Sequence, residues 1–146
     1  MIKIIAVGKN NALLRHYESE IVRRIGRISR FELVELKGDK SKNPLEIIRK
    51  EDESILSRIK EEEFVCALDV SGVSVDSFGF SDVIREHDNI VFVIGGAYGF
   101  GDKVRLRADL SLSFSLLTFN HQVFRVMLLE QVYRSLSIIA GGKYHK

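Results

Sequence analysis

The spacing of apolar and polar positions changes several times along the chain, and each change marks an element. Ile2 to Val7 is apolar except for Lys3 and ends at Gly8, which predicts a buried first strand. From Leu13 to Ile28, apolar residues at Leu13, Leu14, Tyr17, Ile21, Ile25 and Ile28 recur at helical spacing, the mark of an amphipathic helix. Phe31 to Leu36 alternates and predicts a second strand, at an edge of the sheet. The polar stretch Lys37 to Asn43 is a loop. Pro44, the only proline, suits the first turn of a helix capped by Asn43 and running to about Glu63, with Ile47, Ile48, Ile55, Leu56 and Ile59 facing inward. Phe64 to Leu68 is a third buried strand closed by Asp69, Gly72 lies in a turn, and Ser77 to His87 is a short helix.

Asn89 to Gly101 stands out. Ile90 to Ile94 is an unbroken apolar, mostly β-branched run that predicts a strand buried on both faces. It opens into a loop holding Gly95, Gly96, Gly99 and Gly101. Glycine lets a ligand approach the backbone closely, and the carboxyl end of a parallel strand is where α/β sheets bind ligands. Asp102 to Ala108 predicts a short helix, and Leu110 to Leu117 alternates apolar residues with Ser as a fifth strand. Thr118 to His121 makes a turn, and Gln122 to Ala140 is a long last helix stopped by Gly141 and Gly142. Strands alternating with helices predict a mostly parallel sheet of about five strands with helices on both faces. The last helix is apolar nearly all round, so it is expected to bury a second surface against another subunit.

A length of 146 residues suits one domain, 1–146, with a sizeable core. No stretch approaches the roughly 18 apolar residues of a membrane span, and Met1 to Asn10 lacks the pattern of a signal peptide. Cys66 is the only cysteine, which rules out an internal disulfide or a cysteine-based metal site and reads as a small core residue. The four histidines are scattered, with no metal-ligand spacing. A cytoplasmic protein without a metal or membrane attachment is expected. Net charge is +2, but residues 89–146 hold seven Lys/Arg against three acids, net +4, leaving −2 for the first 88 residues. That asymmetry suits an anionic partner near the glycine loop.

Gly96-x-x-Gly99-x-Gly101 reverses the dinucleotide-binding spacing, and Lys103 lacks the Gly-Lys-Ser/Thr context of a P-loop. Neither nucleotide motif is present. Three other segments carry a resemblance: Phe92 to Gly96 with Gly99; Leu112 to His121 running into Arg125-Val126; and Glu130 to Arg134 with the terminal Tyr144-His145-Lys146. With the opening Ala6 to Lys9, and Leu68-Asp69 before Gly72, this order resembles the ribosomal RNA large-subunit methyltransferase H family of the SPOUT superfamily. The match covers essentially the whole chain.

The resemblance implies a compact α/β knot, with the C-terminal segment threaded through a loop as a trefoil. It implies a homodimer that uses S-adenosyl-L-methionine to methylate N3 of a pseudouridine in large-subunit ribosomal RNA, on the assembled ribosome. By position, cofactor contacts fall on Leu68, Gly95, Gly96, Phe114, Ser115, Leu116, Leu117, Thr118 and Phe119. The family usually has proline before the histidine of the turn; here it is Asn120, a residue able to cap the last helix.

Methyl transfer from a sulfonium is a direct displacement that depends on alignment, and the acceptor N3–H must lose a proton. His145 is a candidate base or orienting group, against the alternative of a solvated tail residue. Tyr144 either stacks on a base or closes the pocket. Arg134 either contacts RNA or pairs with Glu130. Arg125 has no acid at helical spacing, so contact with RNA or a part in catalysis is expected. His121 either caps the last helix or contacts substrate. A non-enzymatic RNA- or nucleotide-binding module, or a nucleotide-using enzyme of small molecules, is the alternative to a methyltransferase.

Overall fold

A computed structural model describes residues 1–146. Five strands, β1 (Ile2–Val7), β2 (Phe31–Leu36), β3 (Phe64–Ser74), β4 (Ile90–Ile94) and β5 (Leu110–Ser113), form one sheet in the order β2-β1-β4-β3-β5. Every pairing is parallel. The helices are α1 (Ala12–Gly26), α2 (Pro44–Leu56), α3 (Ser77–Arg85), α4 (Asp102–Arg107) and α5 (His121–Ile139). Side chains alternate across a strand, so β1 divides its residues between two cores. Ile2, Ile4 and Ala6 join Ile21 and Ile25 of α1, Phe80 and Ile84 of α3, and Leu128, Leu129, Val132 and Leu136 of α5. Ile5 and Val7 join Ile55 of α2 and Val104 of α4 on the other face. β4, central and buried at every position, feeds both cores. Cys66 is a buried core residue, its thiol pushed up to about 12 by burial.

Local chemistry sets the ends of the elements. Asn43 caps α2 by accepting from the Leu45 N–H, with Pro44 in the first turn. Asn120, where the resembling family has proline, caps α5 by accepting from the Gln122 N–H at 2.9 Å. α2 stops at Leu56, short of the predicted Glu63, because Glu63 turns inward. There it meets the Lys3 ammonium at 2.6 Å and accepts from the Lys60 N–H at 2.8 Å.

Two strands also differ from the expectation. β3 continues past Asp69 to Ser74, because Leu112 of β5 pairs with both Leu68 and Val73 and the residues between them bulge out of the ladder. Gly72 permits this: a Cβ there would lie 2.6 Å from the backbone of Ser111. β5 ends at Ser113 rather than Leu117. The Ser113 hydroxyl donates to the Ser115 carbonyl and the Ser115 hydroxyl accepts from the Leu117 N–H, which turns the chain away from the sheet.

Candidate functional site

β3, β4 and β5 end side by side, and each continues into a segment that the sheet can no longer pair. Leu68, Asp69 and Val70 come from the bulge of β3, Gly95, Gly96 and Gly99 from the loop after β4, and Ser113, Phe114, Ser115, Leu117, Thr118 and Phe119 from the end of β5 and the segment after it. Together with Phe100, Arg105, His121 and Phe124 they enclose a cavity of about 480 Å³, within the range of cofactor pockets. Its position over the carboxyl ends of parallel strands is the one expected of a ligand site in an α/β sheet.

The loop after β4 folds tightly on itself. The Gly99 N–H donates to the Gly96 carbonyl at 3.0 Å, and Gly99 has a φ of 73°, in the left-handed region. Gly95 lies against the returning loop, where a Cβ would stand 2.6 Å from the Gly99 carbonyl carbon. Gly101 leads into α4, and its N–H donates to Asp52 at 2.8 Å. Beside Asp52, Glu51 supports the loop from below: a Cβ at Gly96 would lie 2.5 Å from its Oε2. Glu51 is buried, and its Oε1 accepts from the Asp39 N–H at 3.1 Å. Burial, and then the neighbouring Asp39 and Asp52 charges, raise its carboxyl above the usual range, although the Asp39 N–H and His121 oppose this.

Asp69 and Arg105, on the cavity wall, form an ion pair at 3.0 Å. Burial works to raise the Asp69 carboxyl, but the Ser71 N–H and hydroxyl and the Arg105 guanidinium outweigh it and hold Asp69 below its ordinary value.

Eight of the nine cofactor residues expected from the sequence, Leu68, Gly95, Gly96, Phe114, Ser115, Leu117, Thr118 and Phe119, line this one cavity. Leu116 does not: it is 89% exposed and points away from the wall. His121 is the first residue of α5 and lines the cavity, but the cap of that helix is its neighbour Asn120, so the capping alternative for His121 does not hold.

Arg125 is not the RNA contact expected of it. It is 2% exposed and bonds to Glu18 at 2.6 Å, Glu35 at 2.8 Å and the Gly8 carbonyl at 3.2 Å. Its counter-charges come from α1 and β2, which helical spacing along α5 cannot reveal. Arg125 therefore ties the start of α5 to the end of β1. Arg134 pairs with Glu130 at 2.6 Å, the structural alternative.

The tail lies elsewhere. The Tyr144 hydroxyl donates to Glu130 at 3.2 Å, while His145 sits 3.2 Å from Arg134 and packs edge-on against Phe78. Glu130 lies nine residues beyond His121, roughly 13 Å along the helix axis. A chain thus does not bring Tyr144 and His145 to its own cavity. Arg105, Phe100, Phe124 and Glu51 were not singled out in the sequence, and Asp69 was named there only as a strand end and as part of the resemblance. Only Asp69, at the end of a recognisable strand, left a signal there.

A cofactor-sized cavity at the carboxyl edge of a parallel sheet, between a glycine-rich loop and a C-terminal segment folded back over it, defines an α/β ligand-binding protein with a single composite pocket. Comparison with known proteins makes this class specific. Residues 1–145 match the family described as "Predicted SPOUT methyltransferase", and the chain belongs to that family. It is 45% identical over 155 residues, all of both chains, to a protein of Caldicellulosiruptor bescii named ribosomal RNA large subunit methyltransferase H. Proteins of the same name from Caldicellulosiruptor saccharolyticus (39% over 154 residues, all of both chains) and Clostridium botulinum (41% over 157 residues, 99% of each chain) are similarly related. A methyltransferase requires a methyl donor.

Proposed function

We propose that this protein transfers a methyl group from S-adenosyl-L-methionine to N3 of a pseudouridine in large-subunit ribosomal RNA, on the assembled ribosome, as a cytoplasmic homodimer with residues 1–146 acting as one methyltransferase domain. One observation carries the reading: residues scattered over three loops, named from the sequence as cofactor contacts, line a single cavity. The residues fit such a donor. Leu68, Ile94, Leu112 and Phe124 offer apolar wall for a flat heterocycle, while the glycine loop and Thr118 offer polar backbone and a hydroxyl. The bound cofactor would supply an electrophilic methyl on a sulfonium.

The chain's own residues orient the partners of that reaction. Asp52 holds the glycine loop at Gly101, Glu51 lies against Gly96, Arg125 fixes the first turns of α5, and His121 stands at the cavity's rim. A proton must leave the acceptor nitrogen, and the groups suited to meet it, Tyr144 and His145, are docked away from the cavity of their own chain. A dimer resolves this, with Tyr144 and His145 of the partner subunit facing the acceptor. A second groove, of about 590 Å³, supports that arrangement. It runs along Val126, Met127 and Glu130 of α5 and shares Phe114 with the cofactor cavity, so a subunit seated there would border the pocket.

The proposed knot is supported by the return path. After β5, at the sheet's edge, the chain crosses back to α5, whose first turns meet Gly8 and Lys9 at the end of β1.

Heat stability with added ligand tests the cofactor assignment. S-adenosylhomocysteine at 100 times its dissociation constant is expected to stabilise the fold by about 2.7 kcal/mol, raising Tm by several degrees, whereas NAD and ATP leave Tm unchanged. A shift with NAD or ATP alone would favour a nucleotide-binding module instead.

A further inference from the structure

We propose that the loop after β2, carrying Lys37, Lys40 and Lys42 with Lys9 beside it, is a docking surface for ribosomal RNA phosphates. The positive charge expected near the pocket from residues 89–146 is largely neutralised in the fold. Lys103 pairs with Glu53, Arg105 with Asp69, Arg107 with Asp109, Arg125 with Glu18 and Glu35, and Arg134 with Glu130. The four lysines at the ends of β1 and β2 are exposed and make no ion pair. Val7 and Leu36 pair directly, so Lys9 and Lys37 leave neighbouring strands on the same edge as the cavity.

Most acids on that edge are engaged: Asp39 with Lys50, Glu46 and Glu53 with Arg49, Asp52 with the backbone of the glycine loop, and Asp76 with the cap of α3; the exposed Asp102 approaches only Arg105, at 4.0 Å. At the opposite edge the exposed Arg27, Arg30, Arg58 and Lys60 are also unpaired, but Glu32, Glu61, Glu62, Glu86 and Asp88 stand free among them. Unpaired positive charge with few free acids beside it therefore gathers at this loop on the pocket side; the remaining exposed, unpaired lysines, Lys143 and Lys146, lie in the C-terminal tail. The helices that follow the strands begin on that side, and their dipoles add to it.

The loop is also held in place. The Asp39 N–H donates to Glu51, the Ser41 N–H donates to Asp39 at 2.8 Å, and Glu51 lies against Gly96 of the cofactor loop. Lysine loop and cofactor loop are thus one carboxylate apart, so RNA phosphates bound on the first would bring neighbouring nucleotides to the second. Multiply charged phosphate contact of this kind is sequence-independent and salt-sensitive, which suits a protein that carries no separate RNA-binding domain within these residues.

The inference rests on the ribosomal substrate proposed above, but its test needs no methyl transfer. Purified ribosomes are sedimented with the wild-type protein, with K37Q/K40Q/K42Q, and with a far-edge control, R27Q/R30Q/R58Q. The lysine variant is expected to bind roughly tenfold or more weakly near 0.1 M salt, with a log-log salt slope shallower by about 2 to 3, and to keep the wild-type Tm shift with S-adenosylhomocysteine. The control is expected to sediment as wild type. Binding of the lysine variant within twofold of wild type, an equal loss in the control, or a wild-type protein that does not sediment with ribosomes would overturn it. Sedimentation without any methyl transfer would leave this surface standing and remove the enzymatic reading.

Discussion

Lys3 was the one break in an apolar strand, and its meaning appears only with its partner sixty residues on. The ammonium is buried, bonded to Glu63 and to the Arg58 carbonyl. Replacing Glu63 with Gln leaves that cation buried without a counter-charge, and such losses cost about 3 to 5 kcal/mol. A chemical denaturation midpoint well below wild type, with unchanged m, is expected; an unchanged midpoint would contradict the assignment. Burial works to raise the Glu63 carboxyl, but Lys3 and the Lys60 N–H outweigh it, so its folded value lies below the ordinary one. This contribution to stability is therefore complete above the ordinary carboxylate range, roughly pH 4, and is lost as pH falls through the lower folded value. The gap between wild type and Glu63→Gln should accordingly narrow on acidification. Gly95 is a second residue whose role is steric. Any side chain there meets the Gly99 backbone, so Gly95→Val must displace the loop itself. Calorimetry should show cofactor affinity abolished in a folded protein, and unchanged affinity would contradict the account. The sequence pointed to Gly95 for close approach of a ligand; the nearer constraint is the loop's own return.

At the scale of elements, periodicity revealed every strand and helix, because each has a face or faces that must be apolar. It misjudged ends wherever tertiary or local side-chain bonds decide them: Glu63 in the turn between α2 and β3, the bulge at Gly72, and the serines after β5. The bulge matters most, since it delivers Asp69 and Val70 to the cavity, and no spacing in the sequence announces it. α5 shows the same division. Leu128, Leu129, Val132 and Leu136 of its apolar surface belong to the chain's own core, and Arg125 within that face is paired. Leu129 is fully buried, so a charge there would test folding rather than association. The outward stripe is Val123, Val126 and Met127, exposed or half-buried, and the last two line the second groove. Met127→Asp is expected to give a folded monomer by sedimentation, one that still binds S-adenosylhomocysteine but loses at least a hundredfold in methyl transfer, the scale of a lost acid–base group. A monomer with wild-type turnover would show that the tail of a second subunit is not needed.

Over the whole molecule, the sheet gathers at one edge the parts of the proposed site that a single chain supplies. The cofactor cavity, the glycine loop, the capped start of α5 and the unpaired lysines all lie beyond the carboxyl ends of parallel strands. The cavity was legible in the sequence because glycine loops and short polar runs interrupt apolar elements at visible places. The electrostatic face was not, because pairing across the fold cancels the charge that the sequence counts near the loop and leaves uncompensated the lysines it passes over. The tail was legible as chemistry but not as geometry, since its contacts with Glu130 and Arg134 carry it away from its own pocket. The most direct measurement is mass spectrometry of large-subunit ribosomal RNA after ribosomes lacking the modification are incubated with the purified protein and S-adenosyl-L-methionine. One methyl group on one pseudouridine, formed on assembled ribosomes and not on naked ribosomal RNA, is the predicted result. No added methyl, or equal methylation of the naked RNA, would contradict it.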